Sequence, residues 1–413
     1  MQQLTAEDVK LFFANTQQIT FEVTERCNLN CKYCGYGSLY NNKDPRHNNN
    51  LTTNDALALL RKIKELWSKG YDVSGPSVIH ISFYGGEPLL NMSLIRQIID
   101  YVESEMKTFS KDFQFSMTTN AVLLRKYIDY LVKKNFRLLI SLDGDEYANS
   151  YRVDTREHPS FHKVIDNLDY IKTVYPNFFL NNVDFNSVIT NRTTNSSTIS
   201  YIQKRYGKTP STSEINNVGI NPLMLRTFQE MYQPKNDDLS IQEEHTPDSF
   251  KHAPKFENVA KYFQMYSEYF FSDYNELLYL SNTSKSKPPT GTCLPFTKKI
   301  FISAYGKIFP CERIGFTYSL GKIQNGVVEL DYQNVADKYN SYYSRISPVC
   351  SKCRDYRGCL NCFFNTGQLV SPNAKCNYFV TPKEFQLMQE EIYDFVRTFP
   401  ESNEYIMLSL IHI

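Results

Sequence analysis

Between residue 18 and about residue 220 the chain alternates short β-rich runs with longer stretches of helical period, and this alternation restricts its fold more than any other feature. Strands are expected near 18–24, 77–83, 113–118, 136–142, 182–189 and 215–220, with helices between them. Segment 53–69 shows the pattern. Thr53 is placed to cap the helix, Ala56, Leu59, Leu60, Ile63, Leu66 and Trp67 share one face, and Gly70 suits the left-handed C-terminal position. That face is expected to pack on the sheet, as are the stripes Leu94, Ile98, Ile99, Val102 and Val164, Ile165, Leu168, Ile171.

Beyond the alternating region, residues 232–256 are polar and punctuated by proline, and read as a connector. A helical stretch from about 256 to 282 follows, and Lys287-Pro288-Pro289 marks a second boundary. Asn325-Gly326 and Ala304–Lys307 have the composition of hairpin turns. Thr381-Pro382-Lys383-Glu384 is a capping box opening a final helix with the stripe Phe385, Met388, Ile392, Phe395, Val396, Phe399. The expected division is therefore 1–231, a connector with a bridging helix over 232–290, a small domain over 291–380, and a terminal helix and tail over 381–413.

A chain of 413 residues allows two or three domains at about 150 residues each. With 45 basic and 44 acidic residues there is no global field to recruit nucleic acid or an anionic membrane. Met1–Ala14 lacks the cationic start and apolar stretch of a secretory signal, and no apolar run approaches the ~20 residues of a membrane span, so a cytoplasmic protein is expected. In that compartment ten cysteines read as metal ligands or reactive thiols rather than disulfides.

Three of the ten, Cys27, Cys31 and Cys34, form a CxxxCxxC triplet just after the first strand. Three thiolates can hold three corners of an iron–sulfur cubane and leave one iron open, unlike the closed four-ligand shell of structural zinc. On their own the same cysteines also suit zinc, with His47 as a fourth ligand, or disulfides.

Read as C-N-L-N-C-K-Y-C, with Tyr33 before the last cysteine, the triplet resembles the signature of the radical S-adenosylmethionine (SAM) enzymes. The resemblance implies a partial (β/α)6 barrel, a [4Fe–4S] cluster on the triplet, and SAM chelated to its open iron and cleaved to a 5′-deoxyadenosyl radical. Iron–sulfur potentials extend down to about −700 mV, which makes reduction of the sulfonium physically admissible. The resemblance also assigns contacts with SAM. The backbone of Gly85-Gly86-Glu87-Pro88 is implied to meet its amino group, Asn120 its ribose, Ser141 and Arg152 its carboxylate or ribose, and Ile189, with Val188, its adenine. Where the family often has glycine after the asparagine, this chain has Ala121.

The seven late cysteines, Cys293, Cys311, Cys350, Cys353, Cys359, Cys362 and Cys376, resemble the SPASM domain appended to radical SAM enzymes that modify peptides and proteins. That implies two auxiliary [4Fe–4S] clusters, an outer one on Cys350, Cys353, Cys359 and Cys376 and an inner one on Cys293, Cys311 and Cys362. The spacing Leu360-Asn361 is one residue shorter than the family's usual form. Glu312 stands where related sulfatase-maturing enzymes have a proton-accepting Asp, with Arg313 as its expected ion-pair partner. The function implied is maturation of a ribosomally made precursor peptide by hydrogen abstraction, giving a thioether, ether or carbon–carbon cross-link or an epimerised residue. Electrons are implied to come from a donor such as flavodoxin or ferredoxin. Only 26 residues precede Cys27, so leader recognition is expected elsewhere or in a separate protein. The alternatives are sulfatase maturation, against which the count of seven late cysteines speaks, and a zinc-stabilised peptide adaptor without turnover.

Overall fold

The computed structural model describes residues 3–41, 45–73, 77–235, 250, 255–266, 291–355, 359, 361–366, 369 and 374–411. Most of the expected connector, the second half of the 256–282 helix and the 287–289 boundary lie outside the described residues.

After helix α1 (Ala6–Ala14), strands β1 (Gln18–Thr24), β2 (Ser77–Gly85), β3 (Lys111–Thr119), β4 (Arg137–Ser141), β5 (Val183–Ile189) and β6 (Ser211–Glu214) run parallel and adjacent in that order. The connections carry α2 (Thr53–Ser68), α3 (Met92–Tyr101), α4 (Leu124–Lys133), α5 (Phe161–Val174), α6 (Pro176–Asn182) and α7 (Asn195–Tyr206). Two features extend this βα core. The segment after β6 forms α8 (Leu225–Met231), and β7 (Lys299–Ile302) returns to pair with β1, Gln18 opposite Lys299, also in parallel. From β7 the sheet continues antiparallel through β8 (Lys307–Phe309), β9 (Gly321–Gln324) and β10 (Val327–Glu329), so β10 and β6 are its two edges. The Asn325-Gly326 turn joins β9 to β10 as the sequence predicts.

The strands alternate in a way unusual for parallel sheets, which are commonly apolar on both faces. In β1, Ile19, Phe21 and Val23 are fully buried on one face and Gln18, Thr20 and Glu22 occupy the other. The apolar row continues in register through Ile81 and Phe83 of β2 to Phe115 and Met117 of β3. The polar row continues through Ser82 and Ser116, joined by hydrogen bonds Gln18 Nε2→Ser82 Oγ (2.6 Å) and Ser82 Oγ to Ser116 Oγ (2.7 Å). The helices cover the apolar face. α2 is capped by Thr52, one residue before the expected Thr53, whose hydroxyl accepts from the Asp55 amide, and it buries Leu59, Leu60, Ile63 and Leu66. Each such side chain contributes about 1.5–3 kcal/mol on burial.

The last parallel strand departs from expectation. The apolar residues Ile215, Val218 and Ile220 suggest a strand over 215–220, yet β6 is the polar run Ser211–Glu214, held by backbone pairing to β5. Ile215 is buried instead among Tyr33, Leu39, Phe228 and Met231, and Ile220 bridges to Tyr40. The segment after β6 thus straps the loop that follows the cysteine triplet.

The chain divides into two compact units, Ala6–Asp237 with Pro295–Val335, and Met1–Thr5 with Asp238–Leu294 and Ala336–Ile413. The boundary expected near residue 290 is therefore displaced, because residues 295–335 complete the sheet. In the second unit lie α9 (Phe256–Tyr266), most of α10 (Tyr332–Cys350), α11 (Pro382–Thr398) and α12 (Pro400–Ile411). The Thr381 and Glu384 side chains form the expected reciprocal cap on α11. Val259, Ile392, Phe395, Phe399 and Ile406 bury one another, so the terminal region is two helices packed on α9 rather than one helix and a tail.

Candidate functional site

The triplet lies on the loop leaving the C-terminal end of β1, the edge at which parallel α/β sheets present their ligand sites. No disulfide joins any of the ten cysteines. Turns Cys34 N→Cys31 O (3.1 Å) and Gly37 N→Cys34 O (2.7 Å) shape the loop, and the Leu29 amide points at Cys27 Sγ (3.4 Å). Burial pushes the Cys27 thiol up to about 11 and the Cys31 thiol to about 12. Among the described residues no three His, Cys, Asp or Glu side chains are gathered tightly enough to share one metal ion. His47 stands elsewhere, its amide on Glu25 Oε2 (3.0 Å) and its ring edge-on to Tyr305.

Gly85 and Gly86 fix this loop to the sheet. Their neighbourhood accepts Gly86 N→Thr24 O and Glu87 N→Arg26 O, both 2.9 Å. A Cβ on Gly85 would lie 2.3 Å from Thr24 O, and one on Gly86 would lie 2.2 Å from Arg26 O. The paired glycines thus allow a close approach to the backbone immediately before Cys27. Glu87 turns inward, wholly buried, and accepts from Leu89 N (3.1 Å), Thr119 Oγ1 (2.8 Å) and Asn120 N (2.8 Å). Burial pushes its carboxyl up to about 7 against the pull of those three donors. Asn120 passes the connection on, donating through Nδ2 to Asn28 Oδ1 (2.8 Å) and towards Cys27 Sγ (3.8 Å). The following Ala121 takes φ 64°, the left-handed conformation for which glycine is the ordinary choice.

Arg152, which the resemblance assigns to SAM, is held by a carboxylate of the protein. Its Nε and Nη2 hold Asp143 Oδ2 and Oδ1 at 2.9 and 2.8 Å, with both side chains buried. Asp143 also accepts from the Tyr33 hydroxyl and from Val188 N (2.9 Å), which fills its four acceptor positions. Backbone bonds Asn30 N→Val153 O (2.6 Å) and Lys32 N→Tyr151 O (3.1 Å) place Arg152 directly opposite Cys31. Ser141 ends β4, on the polar face in register with Asn186. Ile189 shares the helix-covered face with Phe185 and is fully buried, whereas Val188 packs beside Tyr33 and Tyr151. Of the two residues proposed to flank adenine, Val188 is the one on the cysteine-loop side.

Sequence reasoning missed a second polar cluster on the same unit. Glu22, on the polar face of β1, pairs with Arg46 Nη2 (2.6 Å) and accepts from the Ala304 amide (2.9 Å). Arg46 stacks 3.6 Å over the Tyr36 ring, which lies 6.3 Å from the ring of Tyr84. The alternation Gln18, Thr20, Glu22 against Ile19, Phe21, Val23 was the available signal for an inward-facing carboxylate. Burial, then Glu312, Cys34 and Glu22, push the Tyr84 phenol upward, so Tyr84 stands within electrostatic reach of both the triplet and the Cys311 turn.

Glu312 is held by Lys299 at 3.0 and 2.9 Å, not by the expected Arg313, which is exposed. β7 and β8 set this pairing by bringing residues 299 and 312 alongside, which sequence adjacency could not show. Burial raises the Glu312 carboxyl, but the Lys299 charge and hydrogen bonds outweigh it and hold the group below its usual range. In the second unit, Cys350, Cys353, Cys359 and Cys376 lie within electrostatic reach of one another, and burial pushes Cys350 up to about 12. Phe363 N→Thr292 Oγ1 (2.8 Å) and Gly291 N→Asn361 O (3.1 Å) draw Cys362 and Cys293 together. Cys311 belongs to the first unit.

Residues 21–191 match the radical SAM superfamily, so the chain carries a radical SAM domain. Domains of this family use SAM and a [4Fe–4S] cluster. The chain is 29% identical over 182 residues to the radical SAM cyclopropyl synthase TigE of Paramaledivibacter caminithermalis, which is 42% of this chain and 36% of that protein. It is 26% identical over 148 residues to the cysteine-type anaerobic sulfatase-maturating enzyme of Clostridium novyi, 35% of this chain and 37% of that one. The chain thus spans little more than a third of the length of these two relatives. The solved structure of native anSMEcpe with bound AdoMet shares the fold over 96% of this chain and 100% of its own, with a TM-score of 0.56 and 16% identity. No helix among the described residues is long and apolar enough to cross a membrane.

Proposed function

We propose that this protein is a cytoplasmic radical SAM maturase that abstracts hydrogen from a residue of a ribosomally made peptide. The observation that carries the reading is the pairing, on one sheet, of two thiol sites. The triplet lies at the end of β1, and Cys311 with the Glu312–Lys299 pair follows β8, with Tyr84 in reach of both. A radical-generating site alone has no use for the second; a site that also handles a substrate does.

The triplet suits a cubane with an open corner: three thiols, no disulfide, and a loop shaped by the protein's own backbone bonds. When bound there, the cluster and SAM supply a carbon-centred radical able to abstract hydrogen. The chain's residues do the rest. Gly85, Gly86 and Glu87 fix the loop, Asn120 and Val188 border it, and the polar face gives a substrate backbone hydrogen-bonding partners. Glu312, kept ionised by Lys299, is the proton acceptor. The seven late cysteines would hold two auxiliary [4Fe–4S] clusters, electrons would come from a flavodoxin or ferredoxin, and leader recognition would fall to another protein or region.

The test is anaerobic reduction with SAM. The wild type is expected to release 5′-deoxyadenosine, the triple variant Cys27/Cys31/Cys34→Ala none, with iron remaining on the late cysteines. SAM cleavage by the triple variant would sink the reading. Likeness to the Clostridium novyi sulfatase-maturating enzyme favours a second reading, oxidation of a Cys or Ser to formylglycine. A mass change of the aldehyde type on a sulfatase-motif peptide, absent with other peptides, would select it.

A further inference from the structure

Arg152 and Asp143 form a buried pair of fixed opposite charges across from one cysteine of the triplet. Asn30 and Lys32, on either side of Cys31, donate to Val153 and Tyr151, on either side of Arg152, so the arginine's place opposite the thiol is set by main chain. Its guanidinium is locked on Asp143 at 2.8 and 2.9 Å and lies 5.5 Å from the centre of the Tyr33 ring, two residues along the same loop. Asp143 is locked in turn by Tyr33 and Val188. Neither charge is free to turn towards solvent: 9% of the arginine side chain and none of the aspartate is exposed.

We propose that the Asp143–Arg152 pair sets the reduction potential of the cluster held by Cys27, Cys31 and Cys34. The inference rests on the radical SAM reading of the triplet. A reduced cluster carries one more negative charge than an oxidised one, so a nearby guanidinium favours reduction and a nearby carboxylate opposes it. In a buried setting such interactions are several times stronger than in water. Bound to each other, the two charges nearly cancel, and the cluster keeps the low potential that reduction of a sulfonium demands. Loss of either partner uncovers the other. Tyr33 makes the device rigid, because its hydroxyl ties Asp143 to the loop that carries the ligands.

The experiment is an anaerobic, EPR-monitored redox titration of the reconstituted full chain without SAM, with the spectrum of the Cys27/Cys31/Cys34→Ala variant subtracted. Asp143→Asn is expected to shift the midpoint upward, Arg152→Gln downward, and the double variant to return close to wild type. Arg152→Lys, which keeps the charge, is expected to leave it unmoved. Unshifted midpoints, or shifts of the same sign in the two single variants, overturn the proposal. Should Asp143→Asn fail to keep its cluster, Arg152→Gln against Arg152→Lys decides: a drop in the first alone supports the pair's role, and no difference overturns it. Loss of the cluster from both neutral variants assigns the pair to holding the loop and also overturns it. Equal iron in wild type and triple variant removes the cluster assignment, and this proposal with it; unequal iron with unshifted midpoints removes the proposal alone.

Discussion

The triplet loop and the late quartet use the same thiol chemistry on different supports. Around Cys27–Cys34 the loop is fastened to the ends of β1, β2, β3 and β5 by main-chain bonds and by two buried carboxylates, Glu87 and Asp143, while a third, Glu25, holds the amides of His47 and Asn49. Around Cys350, Cys353, Cys359 and Cys376 the described fastenings include the end of α10, the turns Cys353 N→Cys350 O (3.0 Å) and Phe379 N→Cys376 O (3.3 Å), and the strap of Val380 N on Cys353 Sγ (3.3 Å) with Arg354 N→Val380 O (3.0 Å). The first support consists of the protein's own hydrogen bonds. In the second, the auxiliary cluster proposed for these cysteines would add its own binding energy to the folding free energy.

The largest expected effect inverts with the site. Alanine at Cys27, Cys31 and Cys34 should abolish SAM cleavage while changing the thermal unfolding of the reconstituted chain little. Alanine at Cys350, Cys353, Cys359 and Cys376 should lower the first unfolding transition markedly, as should chelation of iron from the wild type. Calorimetry on the two variants checks this. Equal losses of stability would erase the distinction between a prebuilt and a metal-built site.

Next comes the glycine that seats the loop. Gly86→Ala drives a methyl group into the Arg26 carbonyl, a backbone atom that cannot swing aside. A loss of about 3 kcal/mol or more is expected, in the range of severe single substitutions, together with loss of iron from the triplet. Urea unfolding and iron analysis of the purified variant measure both. A variant of normal stability would mean that the loop shifts easily and that the support is softer than its geometry indicates.

The elements legible in the sequence are those with local causes. The triplet, the Gly85-Gly86-Glu87 turn, the α11 capping box and the Asn325-Gly326 hairpin each follow from a few adjacent residues. What was not legible depends on partners far along the chain. Nothing near Lys299 says that β7 lies against β1, and hence that Glu312 meets Lys299 rather than its neighbour Arg313. Nothing near Arg152 says that Asp143 will hold it through two hydrogen bonds. β6 illustrates a third case: its four polar residues have no strand signal of their own and pair because β5 offers a free edge, while the more apolar Ile215–Ile220 run is drawn to Tyr33 and Leu39.

A smaller effect is expected at Glu87, whose folded carboxyl sits near 7 against an ordinary value of 4.5. A carboxyl raised on folding favours the fold while protonated, so its contribution is complete below about pH 4.5 and is lost as pH rises through about 7. Glu87→Gln removes that dependence but turns an amide donor towards one of the three donors the carboxylate accepts. A net loss of about 1–3 kcal/mol is expected at pH 5, narrowing towards pH 8. Stability measured at the two pH values gives the comparison. A gap that widens with pH would show that the hydrogen bonds, rather than burial, govern this group.

The smallest effect tests how tightly the loop after β3 is held. Ala121 is fully buried at φ 64°, and its carbonyl accepts from Asn167 Nδ2 at 2.8 Å. The left-handed conformation costs an L-residue about 1–2 kcal/mol, and a glycine there removes that cost because it has no Cβ, although its greater freedom in the unfolded chain takes part of the gain back. Ala121→Gly should therefore stabilise the protein slightly, by under about 1 kcal/mol, without altering iron content, because Asn120 remains fixed by Glu87 on one side and Asn28 on the other. A destabilised variant with normal iron would mean that the alanine methyl is packed well enough to outweigh the strain. Lost iron would mean that Asn120 takes its position from Ala121 rather than from Glu87, and the support of the triplet would then run through the loop's backbone rather than through the buried carboxylate.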